Sequence, residues 1–228
     1  VVRMVVGKMR LGFSDKTIID GLSWMERGDK SLRDDLEAAY FVRADIGALA
    51  SAVKGYKNIK SISPELGVPV MPALCQRLKT AEEMITKMGI VAVEPKFDGT
   101  RVQIHLKGKD LLRTFTRNME ESTAMFPELK LAYKQINAGE VILDSEAVGW
   151  DQGNKKLLSF QQTMVRKRKH FVEETSHKVP LKFFVFDVLY KNGQSLLGEP
   201  MRKRREILEN IQEEGPVLTL TEQIVTKD

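Results

Sequence analysis

Residues 91–106 read VAVEPKFDGTRVQIHL, and this stretch decides which fold the sequence predicts. Apolar residues alternate with polar ones over 101–106, as they do in a strand that buries one face. Asp98-Gly99, just before that run, is a dipeptide typical of tight hairpin turns. We therefore predict two paired strands, 91–96 and 101–106, joined by a turn at this dipeptide.

A lysine lies at the end of the first predicted strand. Side chains two residues apart share one face of a strand, so Glu94 and Lys96 would lie together. The other face would carry Val91, Val93 and Pro95 and would be buried. Lysine becomes a nucleophile when burial or a neighbouring cation lowers its pKa. Lys96 is the candidate nucleophile, and an ordinary strand lysine is the alternative that these residues alone leave open.

The sequence pattern changes near a connector rich in proline and glycine at 64–70. Before it, apolar residues recur at helical spacing; after it, strand patterns mix with helical ones. We therefore predict an α+β protein with two units, an all-α unit at 1–66 and an α+β unit at 67–228 with antiparallel sheets.

Capping residues and breakers place the remaining elements. The three helices of the first unit are expected to begin near Ser14, Ser31 and Asp45. Helices of the second unit are expected after the capping boxes Thr80/Glu83 and Ser159/Gln162, at Pro127 and at Pro200. Further strands are expected at 141–148, 181–190 and 217–225.

The composition excludes several classes of protein. No apolar run approaches the ~20 residues that a membrane-spanning helix needs. Residues 1–10 carry charges within any apolar segment, so we expect no secretory signal. The single cysteine, Cys75, excludes a disulfide framework and a zinc site built from cysteines, and we expect it to be buried and inert.

Two basic runs stand out in a chain whose formal net charge is +5. They are Arg166–Lys169 with His170, and Arg202–Arg205. Composition favours a solvated helix face for such runs. Contact with a polyanion is the functional alternative, and it would make binding strongly dependent on salt.

Four motifs, in order, resemble those of ATP-dependent DNA ligases of the archaeal and eukaryotic type, within the lysine nucleotidyltransferase superfamily. They are EPKFDGTRVQIH at 94–105, TRNMEEST at 116–123, ILDSEAV at 142–148, and FFVFDVLY at 183–190 followed by Asn192-Gly193. Residues 69–74 resemble the entry to the adenylation domain of that family, and 11–22 the end of its helical DNA-binding domain. The resemblance covers nearly the whole chain.

The resemblance implies a role for each of six residues. Lys96 would be the catalytic nucleophile that attacks the α-phosphorus of ATP and holds AMP. The nucleotide would be held by Glu94 at the adenine edge, Arg101 and Arg117 at ribose and phosphate, Glu146 at the ribose hydroxyl, and Phe186 stacked on adenine. Glu146 would also help to place Mg²⁺. AMP would then pass to the 5′-phosphate of a nick, and the 3′-hydroxyl would displace it.

The resemblance also assigns the two units. Residues 1–66 would be the C-terminal helices of the DNA-binding domain and 67–228 the adenylation domain. Nothing after Tyr190 resembles the second metal-binding glutamate, the lysine-bearing motif or the OB-fold domain of the family. We therefore expect a central fragment, truncated before motifs IV and V, that seals nicks weakly or not at all.

The expected partner is nicked duplex DNA, with a sliding clamp as a further partner of the full-length parent. We expect a monomer with no membrane association, cytoplasmic in a prokaryote or nuclear in a eukaryote. RNA ligases and GTP-using mRNA capping enzymes share the lysine motif and are the first alternative. The second alternative is a non-catalytic nucleic-acid-binding fragment. The basic runs favour it, as does the lack of a match to the family's later motifs.

Overall fold

The computed structural model describes residues 14–55, 58–167 and 172–227. Contacts divide the chain into two units, Val1–Met71 and Pro72–Asp228. The division thus falls at the end of the connector, whereas the sequence placed it between residues 66 and 67. The assignment of the two units to a DNA-binding and an adenylation domain stays a prediction. No helix in the described parts of the chain is long and apolar enough to cross a membrane.

The first unit contains the three predicted helices. They are α1 (Asp15–Arg27), α2 (Arg33–Val42) and α3 (Ile46–Lys54), followed by a 3₁₀ turn at Ile59–Ser61. Asp45 caps α3 as predicted, because its carboxylate accepts a hydrogen bond of 2.8 Å from the Ala48 N–H. Residues 11–13, part of the segment that resembles the family, lie outside the described residues.

The second helix begins two positions later than predicted, at Arg33. The Asp29 carboxylate accepts a 2.8 Å hydrogen bond from the Ser31 N–H, and the buried Ser23 hydroxyl accepts one of 3.1 Å from the Leu32 N–H. These side chains hold the two backbone donors in a turn, so the helix starts after them. The three helices bury one apolar cluster, formed by Ile19, Leu22, Leu36, Ala39, Tyr40, Leu49, Val53 and Ile59.

The second unit mixes helix and sheet, as predicted. Its strands are β1 (Val91–Val93), β2 (Thr100–Lys107), β3 (Asp110–Thr116), β4 (Glu140–Asp151), β5 (Lys156–Leu157), β6 (Leu181–Lys191), β7 (Gln194–Ser195), β8 (Leu218–Leu220) and β9 (Ile224–Thr226). Its helices are α4 (Ala81–Met88), α5 (Phe160–Met164), α6 (Val172–Lys178) and α7 (Met201–Ile211), with 3₁₀ segments at Thr123–Met125, Pro127–Gln135 and Val165–Lys167.

Among the described residues, the strands form two sheets. The larger runs in the order β3-β2-β4-β6-β7, with β5 paired to β4 and β8 paired to β6. The smaller consists of β1 and β9. The pairing of β6 with β8 is parallel, so the prediction of antiparallel sheets was wrong for this pair.

The predicted hairpin at Asp98-Gly99 is also wrong. β1 ends at Val93 and pairs with β9, while β2 pairs with β3 and β4. Pro95 has no N–H with which to continue a ladder, so the chain leaves the strand before it reaches the lysine. Val93 is 51% exposed and Pro95 is exposed, so the expected buried face does not form. The true hairpin joins β2 to β3 at Gly108, whose φ of 58° suits glycine.

Both faces of β2 are buried, although its sequence alternates. Val102, Ile104 and Leu106 belong to an apolar core that includes residues of the Pro127–Gln135 segment and of α7. The opposite face buries polar side chains, among them Gln103 and His105. This polar face carries the candidate site described below.

Cys75 is exposed, so the prediction that it is buried was wrong. It lies in the irregular segment before α4, where the structure has no strand or helix. Free cysteines are usually buried because they lie in packed elements, and this rule does not apply to an irregular surface segment.

A buried glutamine holds the segment between α7 and β8. The Gln135 Nε2 donates to the carbonyls of Glu213 (3.0 Å) and Leu218 (2.8 Å). Its Oε1 accepts from the N–H groups of Val217 (3.0 Å) and Leu218 (2.9 Å). One side chain therefore satisfies four backbone groups, two of which belong to a residue that is fully buried.

We expect Gln135→Ala to lower the free energy of unfolding by about 3 kcal/mol, because it leaves several buried backbone groups unpaired. Urea denaturation of the chain measures this loss. Gln152→Ala, at an exposed glutamine, is the control and should change stability by less than about 0.5 kcal/mol. Equal stabilities of the two variants would show that water replaces the Gln135 hydrogen bonds.

His105 should make the stability depend on pH. Burial, and secondarily the charge of Arg113, lowers the pKa of His105 from 6.5 to about 3. Below pH 6.5, His105 is therefore protonated in the unfolded chain but stays neutral in the folded one. The protein loses stability as the pH falls from 6.5 towards 3. Between pH 7.5 and 5.0 this amounts to about 2 kcal/mol. In urea denaturation, His105→Gln should lose that much less stability over the same interval than the unchanged chain; equal losses would contradict the assignment.

Candidate functional site

The polar face of the larger sheet brings charged residues from neighbouring strands into register. Arg101 on β2 lies opposite Glu146 on β4, and Gln103 lies opposite Asp144. Asp144 in turn lies opposite Asp187 on β6. Three acids and an arginine thus occupy adjacent positions on one face of three hydrogen-bonded strands.

Arg101 is held by a two-pronged ion pair with Asp144. Its Nε lies 3.0 and 3.2 Å from the two carboxylate oxygens, and its Nη2 donates to the same carboxylate. Asp144 is only 2% exposed. Burial raises the pKa of Asp144, and the hydrogen bond and charge of Arg101 oppose that rise. The guanidinium also donates to the Ala73 carbonyl (3.3 Å) and lies 5.5 Å from the ring centroid of Phe186.

Glu146 is the acid of this face that makes no ion pair among the described residues. Burial raises the pKa of Glu146, and a hydrogen bond from the Gly99 N–H and the charges of Lys96 and Arg101 oppose the rise. Its carboxylate therefore lies close to both cations without being bound to either. Such a group can accept hydrogen bonds from a ligand or help to hold a metal ion.

Lys96 is exposed and, within the described residues, makes no hydrogen bond or ion pair. The segment that carries it, 94–99, is anchored from both sides. Phe97 stacks on Phe184 of β6 with ring centroids 4.1 Å apart. Gly99 approaches β4 so closely that an added Cβ would lie 2.3 Å from the Ala147 carbonyl oxygen. The lysine is thus placed by packing on either side of it while its amino group stays open to a ligand.

Glu94 is held at the other end of this segment. Its Oε1 accepts a 2.9 Å hydrogen bond from Gln223 and lies 3.9 Å from the guanidinium of Arg205. No local pattern points to Gln223, since it belongs to no recognised motif and pairs with a residue 129 positions away.

Arg117 lies just beyond the last residue of β3, Thr116, which pairs with Val102. The arginine is therefore at the same end of the sheet as Arg101. It is exposed, and the described part of the chain offers it no ion pair or hydrogen bond.

The structure thus treats the six predicted residues differently. It brings Lys96 and Arg101 each within electrostatic reach of Glu146 and places Arg101 over the Phe186 ring. It ties Glu94 to a separate pair of side chains and leaves Arg117 exposed, at the same end of the sheet as Arg101. Sequence reasoning missed Asp144 and Phe184, although both lie within quoted motifs, because their partners only become apparent in the fold.

The first basic run is not a simple solvated face. Arg166 is 4% exposed and donates to both carboxylate oxygens of Glu128 (2.7 and 2.9 Å) and to the Met125 carbonyl. The ion pair offsets only part of the cost of burial, because burial still lowers the pKa of Arg166 and its buried Nε has no hydrogen-bond partner among the described residues. Arg168, Lys169 and His170 lie outside the described residues, as does the side chain of Lys167.

The second basic run, on α7, is divided between the interior and the surface. Arg204 forms an ion pair with Asp187 (2.8 and 3.0 Å), and Arg205 donates to the Thr221 carbonyl (2.7 Å). Arg202 and Lys203 are exposed. Of the four, these two are open to a phosphate backbone, although Lys203 also forms an exposed ion pair with Glu206 at 3.2 Å.

Comparison with known proteins gives a family match over most of the chain. The model of the family described as "ATP dependent DNA ligase domain" matches residues 72–228. A probable DNA ligase of Dictyoglomus turgidum is 39% identical over an alignment 231 residues long, which covers 100% of this chain and 40% of that protein. A DNA ligase of Sulfophobococcus zilligii is 39% identical over an alignment 232 residues long, which covers 100% of this chain and 38% of that protein.

The chain therefore spans about 40% of the length of the curated relatives it matches. Among solved structures, a mycobacterial DNA ligase D complexed with ATP and MES is 27% identical, with a TM-score of 0.44. That likeness covers 59% of this chain and 40% of the other.

We expect Gly99→Ala to destabilise the chain by about 2–3 kcal/mol, because the new methyl group would collide with the backbone of β4. Thermal or urea unfolding measures the loss. Gly198→Ala is the matched control, since nothing lies within 4 Å of its added Cβ. If the two variants were equally stable, the segment that carries Lys96 would have to be free to move away from β4.

Proposed function

The chain belongs to the ATP-dependent DNA ligase family, and from this premise we propose that it carries the nucleotide-transfer site of a nick-sealing enzyme. In this proposal Lys96 attacks the α-phosphorus of ATP, a P–N bond forms, and pyrophosphate leaves. AMP then passes to the 5′-phosphate of a nick in duplex DNA. The 3′-hydroxyl finally displaces AMP and closes the backbone.

The observation that carries the proposal is the environment of the Lys96 amino group. It is exposed and unpaired among the described residues, and its charge acts on the half-buried carboxylate of Glu146, as does that of the fixed Arg101 guanidinium. A nucleophile, an acceptor and an oxyanion-binding guanidinium are what transfer of a nucleotide requires. Asp144 already accepts from the Nε and Nη2 of Arg101, so a phosphate oxygen would be bound through the N–H groups of the guanidinium that remain.

The remaining roles follow from the same placement. We propose that Arg101 and Arg117 hold ribose and phosphate from one end of the sheet, and that Glu146 accepts from the ribose hydroxyl. Phe186 offers an aromatic surface on which adenine stacks, next to the Arg101 guanidinium at 5.5 Å. Glu94 contacts the edge of the base.

We propose Mg²⁺ as the metal, because the site offers a carboxylate to bind it. Proteins hold Mg²⁺ through one or two carboxylates together with substrate phosphates. No group of three or more metal-binding side chains occurs among the residues that the structure describes. Asp144 is committed to Arg101, which leaves Glu146 as the carboxylate beside Lys96. When bound, the metal would neutralise phosphate charge and polarise the reacting phosphorus.

We also propose nicked duplex DNA as the partner of the full-length protein, acting as a monomer. Support comes from the family and from exposed cations such as Arg202 and Lys203. Contacts of this kind bind the phosphate backbone without reading bases, which suits an enzyme that acts on nicks of any sequence.

The decisive test is covalent labelling of the full-length protein with ATP that carries a radioactive α-phosphate. We expect Lys96→Ala to lower the labelling rate by about 10⁴-fold or more, because removal of a nucleophile abolishes the step it performs. Lys109→Ala, at an exposed lysine of the β2–β3 turn, should label like the unchanged protein. Undiminished labelling of Lys96→Ala would mean that another group is the nucleophile.

The same assay separates the alternatives. Labelling from GTP but not from ATP would point to a capping enzyme. Absence of any label from either nucleotide, with DNA binding retained, would point to a non-catalytic nucleic-acid-binding protein.

A further inference from the structure

We propose that Gln223 and Arg205 are positioning residues that hold Glu94 in place to select adenine over guanine. The inference rests on the proposed function, since it assumes that Glu94 contacts the edge of the base. It adds two residues that belong to none of the motifs by which the chain resembles its family.

Gln223 is brought to Glu94 by the smaller sheet. Val93, the last residue of β1, lies opposite Ile224, the first residue of β9. Glu94 and Gln223 are the next residues along the two strands, so the ladder delivers them side by side. The Gln223 Nε2 then donates to Glu94 Oε1 at 2.9 Å. The carboxylate is thus fixed at the point where the chain leaves β1 towards Lys96.

Arg205 supports the same oxygen from α7. Its Nη1 lies 3.9 Å from Glu94 Oε1 and donates to the Thr221 carbonyl at 2.7 Å. Its Nε donates to Glu209 at 2.6 Å, and its side chain is only 11% exposed. The guanidinium therefore has little freedom to move, and it places a fixed positive charge behind the carboxylate.

The other carboxylate oxygen of Glu94 remains available. Within the described residues, Oε2 accepts no hydrogen bond, while Oε1 is occupied. Adenine presents a 6-amino donor, which a fixed carboxylate oxygen can accept. Guanine presents a 6-oxo acceptor there, which the same oxygen would repel. Selection of this kind depends on a polar group that cannot turn away from the wrong ligand.

A carboxylate without its partners could rotate into solvent and would discriminate poorly. Glu94 would then lose its preferred orientation without losing its charge. The expected consequence is weaker binding of ATP and a smaller preference for ATP over GTP, with little change in the chemistry at Lys96.

The test uses Gln223→Met in the full-length protein, because methionine keeps the length of glutamine but cannot donate. In the single-turnover labelling assay, we expect the ATP concentration that gives half the maximal labelling rate, written KM here, to rise about tenfold, as loss of a hydrogen bond to a charged group predicts. We expect the maximal labelling rate to stay within about twofold, and the preference for ATP over GTP to fall about tenfold. Glu222→Gln, at the exposed neighbour, is the control and should leave all three unchanged.

Two further variants keep the test decisive. Gln223→Lys retains a donor and should restore most of the preference for ATP, whereas Arg205→Lys should lower it. If Gln223→Met fails to fold, these two decide the question by the same ratio. A merely structural role would lower the fraction of active protein and hence the labelling amplitude, with KM and the nucleotide preference unchanged, and that result would overturn the proposal. If the unchanged protein does not label with ATP, the proposed function itself fails, and the two failures are thereby distinguished.

Discussion

The ion pair between Arg101 and Asp144 determines what the polar face of the sheet can do. It joins β2 to β4 through a carboxylate that is almost completely buried. Removing either partner would leave an uncompensated charge there, at a cost of about 3–5 kcal/mol. Because Asp144 neutralises Arg101 from one side, the guanidinium is held towards Phe186 and the Ala73 carbonyl. Glu146, two residues further along β4, is then the acid left without an ion pair among the described residues, and the charge of Lys96 acts on its carboxylate.

Local pattern was sufficient for the strands and helices that bury apolar residues. β4, β6 and α7 lie where their sequences predict them, and Asp45 caps its helix as expected. Local pattern was not sufficient for residues 91–99. Asp98-Gly99 is typical of a turn, but here Gly99 packs closely on β4. The true partner of β1 lies far along the chain, and no local signal marks such a pairing. The convergence of Arg101 and Glu146 followed from the motifs, whereas the contacts of Glu94 required the fold.

The basic runs show why charge counted along a sequence overestimates the charge available to a partner. Arg166 is paired with Glu128, and Arg204 is paired with Asp187. Residues around a helix face different sides of it. On α7, Arg202 and Lys203 are exposed to solvent, whereas Arg204 and Arg205 are partly buried. Any polyanion therefore meets a smaller cationic surface than the composition suggests.

The pairing of β1 with β9 has a consequence for how the protein is made. Glu94 and Gln223 are 129 residues apart, and a ribosome adding 5–20 residues per second needs roughly 6 to 26 s to produce that interval. Throughout that time the strand that pairs with β1 among the described residues has not been made, although the neighbouring β2–β3 hairpin can already form. The contacts of Glu94 with Gln223 therefore form after those of Phe97 and Gly99, and a nascent chain stalled before β9 would hold the reactive segment without them.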